Sequence, residues 1–237
     1  MVVSAAAPDS AVMHVKDFVP ADTMDYVRGV KQAWTRQVLF VKDANALGPN
    51  YFVLRDSLRP PAEGMWRLYC TADNVAAKGA HVRATGKEDV DMDLFFAGPA
   101  TPDVNTKAIS RSSWGLNSAV RYGRVTTTQT GVVVALPAGQ DVLAVLYPRL
   151  KSEKAPAVTA LAGGKGVRVR TDSRTDFVFL TREPAAFSEA GVVFEGTAGA
   201  ATVRGKTVTL TLGAAGVLSA AGKTLRADRP ATKHWPR

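Results

Sequence analysis

Apolar residues along this chain gather in short runs broken by turn formers, and no stretch shows the three-and-four spacing of a long amphipathic helix. The densest pair is Val38 to Val41 (VLFV) and Tyr51 to Leu54 (YFVL), joined by a polar connector holding Asp43, Asn45, Gly48, Pro49 and Asn50. Both runs are strand length and rich in β-branched and aromatic residues, which predicts two antiparallel strands in a hairpin. Because apolar residues fill consecutive positions, both faces should be covered, and this demands a second layer.

The two prolines in Leu58 to Gly64 bar that connector from regular pairing. Trp66 to Cys70 then alternates, with Trp66, Leu68 and Cys70 on one face and Arg67 and Tyr69 on the other. Shorter strands are expected at Val75 to Ala77, Ala80 to Ala84, Val90 to Phe96, Ala119 to Thr128, Gly131 to Leu136 and Val142 to Tyr147. That cadence predicts an all-β fold, an antiparallel two-layer β-sandwich of jelly-roll or supersandwich type. The texture changes at Ser152 to Pro156. Beyond it lie Gly- and Ala-rich strands with hairpin turns at Arg204 to Lys206 and Ala220 to Lys223, read as a smaller C-terminal β subdomain. The expected division is a loose N-terminal arm or edge strand over 1–20, a main sandwich over 21–151, a C-terminal layer or subdomain over 157–226 and an exposed basic tail over 227–237.

With 46% hydrophobic and 22% charged residues, the chain has the composition of a folded globular protein, which excludes wholesale disorder. No apolar run approaches the roughly 20 residues that span a bilayer, so no membrane partner is expected. A net charge of +9 favours anionic partners, but the Lys and Arg residues are scattered singly, so nucleic acid is not expected. Cys70 is the single cysteine, which excludes an internal disulfide, and its apolar context reads as a buried thiol. His14, His81 and His234 lack metal-ligand spacing, and no metal or other cofactor is predicted. Met1 to Ala11 has neither the charged nor the apolar region of a signal peptide, so either the protein is cytoplasmic or a leader precedes this sequence.

The succession YVRG, WTRQVLFVKD, NYFVLRDSL, WRLYC, DVDMDLFFAGP, VLYPR and FEGTAGAATVRGKTVTLTLG, within Asp25 to Leu225, resembles the C-terminal β-sandwich of heparinase II/III-like polysaccharide lyases. The resemblance implies a carbon–oxygen lyase that cleaves uronic-acid-containing glycans or glucuronides by β-elimination. It also implies an acidic glycan as partner and an extracellular or periplasmic location. The α/α toroid that precedes the sandwich in that family has no counterpart in this sequence. Nor do the histidines that its members carry after the central hairpin, since Trp66 to Cys70 holds none. The alternative is a non-catalytic carbohydrate-binding or structural sandwich module separated from a lyase catalytic domain.

β-Elimination from a uronate needs a cation to neutralise the carboxylate, a base for the C5 proton and an acid for the leaving oxygen. Tyr51, Tyr69 and His81 are the catalytic candidates, and Trp34, Arg36, Arg55, Trp114, Arg121 and Tyr122 the substrate-binding ones. Each has a plainer reading. The tyrosines suit a core or rim, because strands are rich in aromatics whatever their function. Arg36 and Arg55 suit ion pairs with Asp43 or Asp56. His81 suits an exposed strand position, although histidine is the residue type that exchanges protons near neutral pH. Trp66 reads as core, whereas Trp114 falls in an expected loop, Ser110 to Gly115, placed to stack on a sugar. Asp89, Asp91 and Asp93 share one strand face, read as solvated carboxylates or, less simply, as calcium ligands. Gly163 to Gly166 reads as a tight turn, because no helix follows to make a phosphate loop.

Overall fold

The computed structural model describes residues 13–45, 48–59, 63–116 and 122–236, with the main chain alone over 111–116 and 122–127. Among these residues there is no helix, and the strands pair antiparallel throughout. In chain order the first are β1 (His14–Val19), β2 (Met24–Lys31), β3 (Trp34–Val41), β4 (Tyr51–Leu58), β5 (Gly64–Cys70) and β6 (Asn74–Lys78). Next come β7 (His81–Thr85), β8 (Val90–Gly98), β9 (Val104–Leu116), β10 (Tyr122–Leu136), β11 (Val142–Leu150), β12 (Ala157–Leu161) and β13 (Gly166–Arg170). The chain closes with β14 (Thr175–Glu189), β15 (Val192–Arg204), β16 (Thr207–Leu212), β17 (Gly216–Ala220), β18 (Lys223–Ala227) and β19 (Ala231–Trp235).

Three sheets result. Sheet A runs β1-β2-β3-β4-β11-β8-β7-β6, sheet B runs β5-β10-β9, and sheet C runs β12-β13-β14-β15-β16-β19 with β17 and β18 joined to it through β15. The inner face of sheet A packs on sheet C through Met24, Leu39, Tyr51, Val53, Leu143 and Val145 against Val167, Val169, Val178 and Leu180. Its outer face packs on sheet B through Val82, Leu94, Phe96, Val142 and Ala144 against Trp66, Cys70, Val132 and Val134. Sheet C encloses a further core around Phe177, Phe179, Phe194, Leu210 and Leu218, in which Phe179 and Phe194 stack at 4.7 Å.

The predicted hairpin is present, with Arg36 opposite Asp56 and Phe40 opposite Phe52. Its coverage differs from expectation. Leu39, Val41, Tyr51 and Val53 are buried, but the outer face is not enclosed and Phe52 is 40% exposed. In sheet A, β11 is covered on both sides: Val142, Leu143, Ala144 and Val145 are all fully buried and alternate between the two cores, as Phe177 to Leu180 of β14 alternate between the cores on either face of sheet C. The break at Ser152 to Pro156 falls between β11 and β12, so what lies beyond it is a full layer sharing a core with sheet A. The C-terminal stretch expected as a tail contains β19, paired to β16 with Trp235 opposite Val208.

The turn between β12 and β13 explains one glycine directly. A Cβ on Gly164, whose φ is +83°, would stand 2.7 Å from the Ala97 carbonyl oxygen, so only glycine lets sheet C approach β8 this closely. The same turn runs into strand β13, which leaves no helix N-terminus for a phosphate.

Candidate functional site

Sheet C ends at its edge strand β12, which touches β8, while sheet A continues past it through β7 and β6. On this step the alternation of β7 turns Val82 and Ala84 into the core under sheet B and sends His81 and Arg83 to the opposite face. On the neighbouring β8 the same face carries Asp91, Asp93 and Phe95, and β11 adds Arg149.

These side chains form one ionic cluster. Asp93 has a fully buried side chain, meets His81 Nε2 at 2.8 Å through one oxygen and accepts from Arg149 Nε at 2.6 Å through the other. Asp91, equally buried, accepts from Arg83 at 2.5 Å and from the Gly86 amide, with Arg149 NH2 at 3.8 Å. The Arg83 guanidinium beside it holds the Asp91 carboxyl below the usual carboxylate range. Arg149 is in turn anchored to the Glu153 carbonyl. The sequence reading of a solvated acidic face is therefore corrected: Asp91 and Asp93 are buried and spent on arginines and a histidine brought from other strands. Among the described residues no three His, Cys, Asp or Glu side chains gather as a metal site.

The cluster presents two groups outward. The His81 side chain is 38% exposed and Arg83 49%, two positions apart on one strand face, while the carboxylates that hold them see no solvent. The His81 ring lies flat on Phe95, at 4.3 Å between centroids and 6° between planes, so its orientation is fixed by stacking and by Asp93.

The other catalytic candidates lie elsewhere. Tyr51 is completely buried between sheets A and C, where its hydroxyl donates to Asp176 Oδ2 at 2.9 Å. Burial first, and then the Asp176 charge, push the phenol well above its ordinary range, the opposite of what a base requires. Tyr69 is half-buried on the outer face of sheet B, its ring over Gly131. Tyr51 thus lies in the core between sheets A and C, Tyr69 on sheet B and His81 on the β7 face, and the three do not form one site.

The proposed carboxylate anchors are likewise engaged. Arg36 grips Asp56 through Nε at 2.7 Å and through a second, shorter contact, stacks at 4.7 Å on Trp34, and shares Asp56 with the Trp34 indole N–H. Arg55, 9% exposed at its side chain, pairs with Asp141 at 2.5 Å and donates to the Leu180 carbonyl. Neither guanidinium is open to a substrate. Trp114, expected in a loop, has its main chain within β9 opposite Arg124, and its side chain lies outside what is described. Arg121 and the Tyr122 side chain also lie outside the described residues.

Clefts also open among the described residues. One of about 520 Å³ opens between Pro49, Tyr147 and Arg170, and its charged rim is balanced, with Lys154 and Arg170 against Glu153 and Asp172. The other, about 450 Å³, is balanced too, with Arg28, Arg182 and Arg229 against Asp17, Glu183 and Asp228. Sequence reasoning singled out His81 and, separately, Asp91 and Asp93, but not Arg83 or Arg149, because the β11-β8-β7 order that brings β7, the carboxylates and Arg149 together is not written in the sequence.

No family model matches the chain, and no curated protein matches it. Among solved structures it is similar to the heparan sulfate lyase HepC from Pedobacter heparinus, at 11% identity and a TM-score of 0.48. The similarity covers 66% of this chain and 26% of that one, so this chain spans about a quarter of the lyase's length.

Proposed function

We propose that this chain is a carbohydrate-active β-sandwich that recognises acidic, uronate-containing glycans on the β7 face. The observation that carries this reading is the pair His81 and Arg83, half-exposed and held by the buried carboxylates of Asp93 and Asp91. Arg83 offers guanidinium N–H donors to a sugar carboxylate, in a geometry that its pair with Asp91 keeps fixed. His81 stands beside it as a donor or acceptor for a ring hydroxyl. The net charge of +9 supports the approach of a polyanion, and the sequence resemblance to lyase sandwiches points to the same ligand class.

The finer reading is lyase-type β-elimination, with His81 taking the C5 proton while Arg83 stabilises the carboxylate. A second reading, a binding module without chemistry of its own, is favoured by a specific observation. Among the described side chains no exposed tyrosine accompanies His81: Tyr26, Tyr51 and Tyr147 are all buried and Tyr69 is on sheet B. One experiment separates the two. Binding to a panel of uronate polysaccharides is followed by affinity electrophoresis, and unsaturated product by its ultraviolet absorbance. R83Q should abolish retention in either case, whereas H81Q should remove product only if the chain is catalytic. Retention unchanged in both variants would sink the site.

A further inference from the structure

Sheet B covers only part of the outer face of sheet A. Cross-strand pairing places Phe18, Val27, Val38, Phe40, Phe52 and Leu54 side by side on the remainder, the outer face of β1 to β4. Phe18 is 66% exposed, and Phe40 stacks on Phe52 at 4.6 Å. Two exposed phenylalanines among four half-buried apolar side chains, contiguous over four strands, mark an interaction surface.

The border of this patch says what fits there. β5 is the edge of sheet B and, among the described residues, pairs with β10 alone. The far edge, β9, lies against β6, and a Cβ on Gly64 would stand 2.6 Å from Leu58, so the start of β5 sits on the end of β4. The open edge of β5 therefore faces the uncovered half of sheet A. An additional strand there would satisfy that edge and extend the existing contact of sheet B with sheet A. One cation on this face is left uncompensated. Asp25 is paired to Lys42 and Asp56 to Arg36, whereas Lys31, on the same face, makes no ion pair among the described residues. A second copy of this chain does not fit the edge. Pairing β5 with its own equivalent would drive the projecting β1 to β4 half of each copy into the other.

We propose that this face takes up an extended segment of a partner protein as a fourth strand of sheet B, with alternate apolar side chains on the Phe40–Phe52 floor and acidic residues at its ends. The site is independent of the glycan reading. The probe is a dye-labelled synthetic peptide of alternating valine and threonine with aspartates at both ends, followed by fluorescence anisotropy on the full chain. Saturable binding is expected. F52D should weaken it about tenfold or more, as expected from losing one buried aromatic contact. F18D, at a more exposed position, should weaken it with less risk to folding, while V193D on sheet C should leave it unchanged. The same peptide with alternate backbone nitrogens methylated keeps its side chains but cannot pair with β5, and it should not bind. Equal binding of the methylated peptide, or indifference to F18D and F52D, would overturn strand addition. So would a concentration-dependent dimer of the chain alone that F18D abolishes, because it would make a second copy the occupant.

Discussion

Arg174 lies between Asp43 and Asp176 with its side chain 1% exposed, Asp43 at 2.8 Å from one terminal nitrogen and Asp176 at 2.8 Å from Nε. The other terminal nitrogen donates to the Pro49 carbonyl at 2.6 Å, which ties the β3–β4 connector of sheet A to sheet C. Burial, the largest influence, raises the Asp176 carboxyl above its ordinary range, while Arg174 and the hydroxyls of Thr202 and Tyr51 pull it down. Removing the guanidinium leaves buried Asp176 with hydroxyl donors but no cation, while Asp43 keeps Arg204, so R174M should cost about 3–5 kcal/mol in urea unfolding. Y51F removes one donor to Asp176 and should cost about 1–3 kcal/mol, with glycan retention unchanged. Tyr147, 5% exposed, has its phenol pushed up to about 12 by burial, from an ordinary value of 10.0. A raised value means that the folded chain holds the proton more tightly than the unfolded one. Its contribution is whole below about pH 10 and is lost as the pH climbs through about 12. Tyr51 and Tyr26, both raised by burial, act in the same direction. Unfolding midpoints measured from neutral to strongly alkaline pH should fall across that window, and Y147F should make the fall shallower; an identical slope in Y147F would remove Tyr147 from the account.

Among the elements, β11 supplies the cores on both faces of sheet A, Leu143 and Val145 to one and Val142 and Ala144 to the other. L143A should therefore cost about 2–5 kcal/mol, and F18A on the exposed β1 much less than that, by the same unfolding assay. The strand at Val142 to Tyr147, the β3–β4 hairpin and the alternation of Trp66 to Cys70 were legible, but which strand is covered on both faces was not, since β3 and β4 carry the same consecutive apolar residues and have an open outer face. β9 was not legible. Its VNTKAISRSSWGL carries polar and small residues at both parities, and Val104 to Leu116 is a strand because β10 pairs with its whole length. The stretch expected as a tail is comparable: Ala231 to Trp235 has three exposed positions and forms β19 because β16 offers an edge. Asp91 and Asp93 failed for a different reason. Period two placed them correctly on one face, but whether that face is wet depends on Arg149, from a strand distant in sequence and adjacent in the sheet.

Across the whole molecule, the layers share cores in a way that forbids independent halves. Sheet A is the common wall: its inner face closes the core with sheet C and its outer face the core with sheet B. A chain cut within Ser152 to Pro156 would separate sheet C from sheets A and B at a point where the sequence alone suggested a boundary between subdomains. Sheet C retains its own interior around Phe179, Phe194 and Leu210, but its other face would carry Val167, Val169, Val178 and Leu180 into water. At about 1.5–3 kcal/mol for each large apolar side chain exposed, that loss is of the order of a domain's whole stability. The intact chain should thus unfold in one transition seen identically by far-ultraviolet circular dichroism and by tryptophan fluorescence. The piece from 157 onward, made alone, should bind a hydrophobic dye and melt without a sharp midpoint, and mixing it with the complementary piece should restore both the dye exclusion and the midpoint. A sharp, dye-free transition in the isolated piece would mean that the core around Phe194 suffices and that the contact with sheet A adds position rather than stability.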